Sequence, residues 1–254
     1  MCRLYSSMAG VIEGLQGLLS RADWSVNSVF VIDPNHRLNT ACKHTINEHL
    51  HDFFRGYKSF RNYIYNSIER QREFLAIYEQ RCLEEEVSKS SRKLPSFDAG
   101  RWSNNYNILD ACSFFEKDLF IYAENNGAAT FGHGVFLESF DFILGMIFFR
   151  PLLLINQKLN ALLQKKDKTF SDVLRSVSKW QANLEIFEQR IEEFGLKIEE
   201  RLSVPPSFVS RTRRNRRNAP ADLSGYLQNI LDEYRAEVLA LVNIDSRLVK
   251  GKVF

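Results

Sequence analysis

Glycine and proline are scarce in this chain of 254 residues, at 12 and 6, which argues against a turn-rich β fold and against a fibrous repeat. Cysteine is scarcer still. Cys2, Cys42, Cys82 and Cys112 lie far apart, with no C-x-x-C pair and no metal-finger spacing, so they make neither a disulfide scaffold nor a zinc motif. No N-x-[ST] glycosylation acceptor occurs. These absences predict a reduced compartment, the cytoplasm, or the nucleus in a eukaryote. A long uninterrupted hydrophobic run is missing too. The most apolar stretch, Val135–Ile155, holds Glu138, Asp141, Arg150 and Pro151, and its longest uncharged run is Phe142–Phe149. A spanning helix needs about 20 predominantly apolar residues, so a buried core helix is expected here. The apolar segment Met8–Leu19 is interrupted by Glu13 and Gln16, which does not fit a secretory leader.

What is present is bulk and helical period. Apolar residues make up 44% of the chain, and 20 Phe stand against 3 Trp and 3 Met, so a large core can be buried. Ile46, Leu50, Phe53, Tyr57, Phe60 and Ile64 recur at three- and four-residue steps. With Ile68, Leu75 and Tyr78 they predict one helix from Leu38 to Glu86, roughly 70 Å long if straight. Residues 87–104, with Pro95 and Asp98-Ala-Gly100, read as a loop. Further helices are expected over Tyr106–Glu124, closed by Asn125-Asn-Gly127, and over Val135–Gln164, with a kink near Arg150 imposed by Pro151.

The clearest seam is Val177, Trp180, Leu184, Phe187, Ile191, Phe194, Ile198 and Leu202, a heptad pattern stopped by Val204-Pro-Pro206. A last helix is expected over Asp222–Val249. The fold expectation is all-α: an elongated antiparallel bundle of about five helices with long, coiled-coil-like members. It forms one domain over 1–254, with an ambiguous N-terminal segment at 1–34 that contains the β-like Val26–Ile32.

The net charge of +3 hides an asymmetry. Between Ser203 and Pro220 the charged residues are Arg211, Arg213, Arg214, Arg216 and Arg217, and without them the remainder of the chain stands at −2. Five guanidinium groups in seven residues, flanked by prolines, predict an extended loop that binds phosphate, because arginine pairs with phosphate through two parallel hydrogen bonds. Nucleic acid fits best. An anionic lipid surface, an acidic protein or a nuclear-import receptor would use the same charges. No aromatic residue interleaves the run, which weakens a base-stacking mode.

Catalytic motifs are sparse. There is no G-x-S-x-G, no Walker loop and no G-x-G-x-x-G, so no cofactor is expected. Four of the five histidines fall within sixteen residues, and His44, Glu48 and His51 stand at i, i+4 and i+7. Such a stripe could hold a divalent metal, or form a solvated face opposite the Ile46–Phe60 seam. Arg37 and His44 have R-x(4–6)-H spacing and resemble the signature of the all-helical HEPN ribonucleases. That resemblance implies an arginine steadying a phosphate and a histidine activating a ribose hydroxyl, although Leu38 replaces the polar residue usual after the arginine. Gly132-His133-Gly134 reads as a turn, and Glu84–Glu86 and Glu192-Glu193 as solvated carboxylates.

The leading expectation is a non-enzymatic interaction protein. It would assemble, with a partner protein or as a homo-oligomer, through Val177, Trp180, Leu184, Phe187, Ile191, Phe194 and Ile198, and contact an anion through the five arginines. The alternatives are a helical RNA-cleaving or metal enzyme centred on Arg37, His44, Glu48 and His51, and a membrane-active protein using Met8–Leu19 or Val135–Ile155.

Overall fold

The computed structural model describes residues 45, 48–97, 103–163, 170–205, 207–208 and 219–250. Among them every regular element is helical and no strand occurs, so the chain is all-α. In chain order the helices are α1 His51–Tyr65, α2 Ile68–Glu84, α3 Ser103–Phe114, α4 Glu116–Asn125, α5 Phe131–Leu137, α6 Phe140–Leu144, α7 Arg150–Leu163, α8 Phe170–Glu188, α9 Ile191–Ser203 and α10 Leu223–Lys250. A 3-10 turn, Gly127–Ala129, precedes α5, and a π-helical stretch, Gly145–Phe149, joins α6 to α7.

The long helices expected from the periodic seams are segmented. The helix expected over Leu38–Glu86 is broken at Asn66-Ser67: Ser67 is extended, and its hydroxyl accepts the Arg70 N–H as the cap of α2. Beyond the break α2 packs on α4, where Phe74 meets Phe115 and Tyr122 and Tyr78 meets Phe115, and both side chains are buried. Ser139 breaks the stretch expected over Val135–Gln164 in the same way, by accepting the Phe142 N–H. At Phe115 and Arg190 no side chain caps the break, and backbone bonds run on across it, from Leu119 to Phe115 and from Phe194 to Arg190. These two are bends, and an apolar seam keeps its phase through a bend.

The irregularity expected near Arg150 takes the form of the π turn that ends there. Pro151 has no N–H to give, and its ring would press on the carbonyl four residues back. The preceding π turn, in which the Arg150 N–H reaches Gly145, widens the helix there. Gly145 also lets the Phe53 ring approach, at 3.0 Å from where a Cβ would stand. Asn125-Asn-Gly127 closes α4 as expected, with Gly127 at φ +50°. The Gly132-His133-Gly134 turn is instead part of α5: His133 stacks flat on Phe60, with ring centroids 4.7 Å apart, and a side chain on Gly134 would overlap the Phe208 ring.

One continuous apolar core runs from Leu50 to Val238. Trp180, Tyr122 and Tyr234 are its largest fully buried members, followed by phenylalanines such as Phe53, Phe148 and Phe149, and many of these rings meet tilted or edge to face. By length and composition Phe140–Leu162 could cross a membrane, yet most of it is buried inside this fold. The loop after α2 is tied down: Leu94 is buried, the Tyr57 hydroxyl donates to the Pro95 carbonyl at 2.6 Å, and Arg61 donates to that of Leu94.

Candidate functional site

The seam in α8 and α9 is spent inside the chain. Trp180, Leu184, Phe187, Ile191, Phe194 and Ile198 are all buried, and Val177 is half-buried. Phe187 and Phe194 meet tilted at 4.9 Å across the Arg190 bend, and Phe148 meets both edge to face. Trp180 donates to Asn156 Oδ1 at 3.0 Å, and the Tyr234 hydroxyl shares that oxygen, so one amide ties together α7, α8 and α10. Asn156 Nδ2 and the Tyr122 hydroxyl are buried and have no hydrogen-bond partner among the described residues, and burial pushes the Tyr122 phenol up to about 12.

Arg211, Arg213, Arg214, Arg216 and Arg217 lie outside the described residues, but both flanks of the run are described. On the α9 side, Phe208 is buried against Gly134, and the Glu138 carboxylate accepts the backbone N–H groups of Ser207 and Phe208 at 2.5 and 3.3 Å. On the α10 side, Ala219 packs on the core, Leu223 is buried, and Asp222 accepts the Gly225 N–H at 2.8 Å as a helix cap. Beside the first anchor lies a groove of about 590 Å³, with an apolar floor of Phe120, Leu137, Ile143 and Ile147. Lys197 and Arg201 stand at its rim; Lys197 pairs with Glu193, and Arg201 with Glu116.

Of the histidine stripe, Arg37 and His44 lie outside the described residues. His51 opens α1 with its ring exposed and bonded to the neighbouring Asp52 at 3.1 Å. Glu48 stands beside His49 and Glu233 on α10, and the ligand atoms of these three lie within 4.8 Å of one another. The His49 ring faces the Tyr226 hydroxyl through Nδ1 at 3.4 Å and Glu233 Oε2 through Nε2 at 3.2 Å. Burial and the carboxylates of Asp141, Glu233 and Glu48 push the Tyr226 phenol upward.

Helical spacing alone could not bring in Glu233, which lies 184 residues beyond His49. Of the carboxylates read as solvated, two are ion-paired at the surface: Lys117 and Arg81 lower the Glu85 carboxyl, and Arg190 and Lys197 hold Glu193 well below the usual carboxylate range. Comparison with known proteins returns no match: no family model, no curated protein and no solved structure aligns with this chain.

Proposed function

We propose that the chain is a non-enzymatic interaction protein whose helical body presents the Arg211–Arg217 run to an anionic partner, nucleic acid foremost. The observation that carries this reading is the anchoring of both flanks of the run, by Glu138 and Phe208 before it and by Ala219, Asp222 and Leu223 after it. An anchored loop loses less conformational freedom on binding than a free tail, so more of its phosphate pairing appears as affinity. With no aromatic residue in the run, the contacts fall on phosphate oxygens, and little base preference is expected.

In this reading the paired segments stack antiparallel into an elongated body that works in the cytoplasm or nucleus. The Val177–Ile198 seam serves the chain's own core. Assembly with further copies or with a protein partner uses apolar side chains left exposed beside it, Ile186, Leu196 and Val204. The groove next to Phe208 gives a partner protein an apolar foothold near the charge.

The test is direct binding of a labelled single-stranded RNA and a labelled duplex, followed by fluorescence anisotropy at low salt. Wild type is compared with a variant in which all five arginines are replaced by Gln. Binding lost in the variant supports the reading. Absence of wild-type binding, or equal binding by both proteins, overturns the nucleic-acid assignment.

A further inference from the structure

The cluster of Glu48, His49 and Glu233 has no part in the anion-binding reading, and its chemistry is of the opposite sign. Two carboxylates and one imidazole converge from chain segments far apart, with no Lys or Arg ion-paired to either carboxylate among the described residues. The surroundings are acidic as well: Glu237, one turn beyond Glu233, accepts from the Thr45 hydroxyl at 3.1 Å.

The imidazole is held in place before any ligand arrives. Its ring stacks against Phe149 at 6.4 Å and meets Tyr226 edge-on at 6.0 Å, while the two carboxylates remain exposed to solvent. With the proton on Nδ1, His49 donates to the Tyr226 oxygen, and the Nε2 lone pair then faces the carboxylates. This is the arrangement by which an outer hydrogen bond fixes the tautomer of a metal-ligating histidine.

We propose that Glu48, His49 and Glu233 bind a divalent transition-metal ion of the Zn²⁺ class, with water completing the shell on the solvent side. Imidazole with carboxylate oxygens suits Zn²⁺ better than Mg²⁺ or Ca²⁺, which prefer all-oxygen sites. Ligand atoms on a tetrahedral Zn²⁺ at about 2.1 Å stand about 3.4 Å apart. From a greatest separation of 4.8 Å, closure needs only a rotation of the two exposed glutamates. The bound ion would clip the segment ahead of α1 onto α10, and so stabilise the fold by binding the native state alone.

The test titrates metal-stripped protein with Zn²⁺ by calorimetry and thermal unfolding, and with Co²⁺ by visible absorption. Wild type is compared with Glu233→Gln, His49→Gln and Tyr226→Phe, and His51→Ala serves as the control. We expect one Zn²⁺ per chain, a raised Tm, and a Co²⁺ d–d band of four- or five-coordinate intensity. Affinity should fall at least about tenfold in Glu233→Gln and His49→Gln, by about 10–100-fold in Tyr226→Phe, and not at all in His51→Ala. Zn²⁺ binding that is absent from wild type overturns the proposal. So does binding unchanged in Glu233→Gln and His49→Gln, which would place the ion on other residues. Circular dichroism without metal shows that each variant is folded.

Discussion

Arg81 grips Asp118 with a two-pronged guanidinium: Nε stands 2.7 Å from Oδ1 and Nη2 stands 2.9 Å from Oδ2. The carboxylate is fully buried, whereas Arg81 keeps one edge toward solvent, where Nη1 reaches Glu85 at 3.1 Å. The pair joins α2 to α4. The same guanidinium also donates to the Phe114 carbonyl and lies over the Tyr78 and Phe114 rings. Removing Arg81 leaves the fully buried Asp118 carboxylate uncompensated. Arg81→Met is expected to cost about 3–5 kcal/mol in urea unfolding; a loss under about 1 kcal/mol would mean that water reaches the carboxylate.

Glu86 holds a left-handed conformation, φ 53°, at the end of α2. Its N–H reaches Leu83 and that of Val87 reaches Cys82, the paired bonds of a helix terminator that favours glycine. An L side chain in this region is disfavoured by about 1–2 kcal/mol. Glu86→Gly should therefore raise stability by about 1 kcal/mol, seen as a higher denaturant midpoint with an unchanged m-value. A lower midpoint would show that the exposed glutamate contributes something these bonds do not include.

Gly56 stands inside α1, where alanine is intrinsically better by about 1 kcal/mol. A methyl group there would overlap the Phe136 ring. Gly56→Ala is expected to destabilise by about 1–2 kcal/mol, since overpacking outweighs the helix preference. The double variant Gly56→Ala with Phe136→Leu should recover part of that loss. A single variant more stable than wild type would contradict the close approach.

His133 carries a pH dependence. Burial against Phe60 and Tyr63 penalises its charged form and holds its pKa below the ordinary 6.5. The unfolded chain then takes up a proton more readily than the folded one. Its stabilising contribution is present above the ordinary value and shrinks as pH falls through 6.5 toward the lower folded value. Unfolding free energies measured between about pH 7.5 and 5 should decline, and the His133→Phe profile should be flatter across that window. Equal slopes would place the titration elsewhere.

The helical class, the seam residues and the stop after Asn125 were legible because burial imposes period and because Asn-Gly tolerates the left-handed region. Segmentation was legible only in part. Ser67 and Ser139 are capping residues three positions ahead of the N–H groups they accept, but serine is common enough that neither outweighs a continuous apolar stripe. The bends at Phe115 and Arg190 carry no local signal, because α9 is turned by the fit of Phe187, Phe194 and Phe148 around one another. The Glu48–His49–Glu233 cluster depends on α10 docking beside the start of α1, a relationship set by tertiary packing that no spacing rule contains.

The most direct test of the central claim is the salt dependence of RNA and duplex binding, read by anisotropy for wild type and for the variant with all five arginines replaced by Gln. If each arginine displaces a counterion, log K should fall against log salt with a slope of about −3.5 on single strands and about −4.5 on duplex, and the variant should lose that slope. A variant that binds with the wild-type slope, or a wild type that does not bind at low salt, would contradict the account.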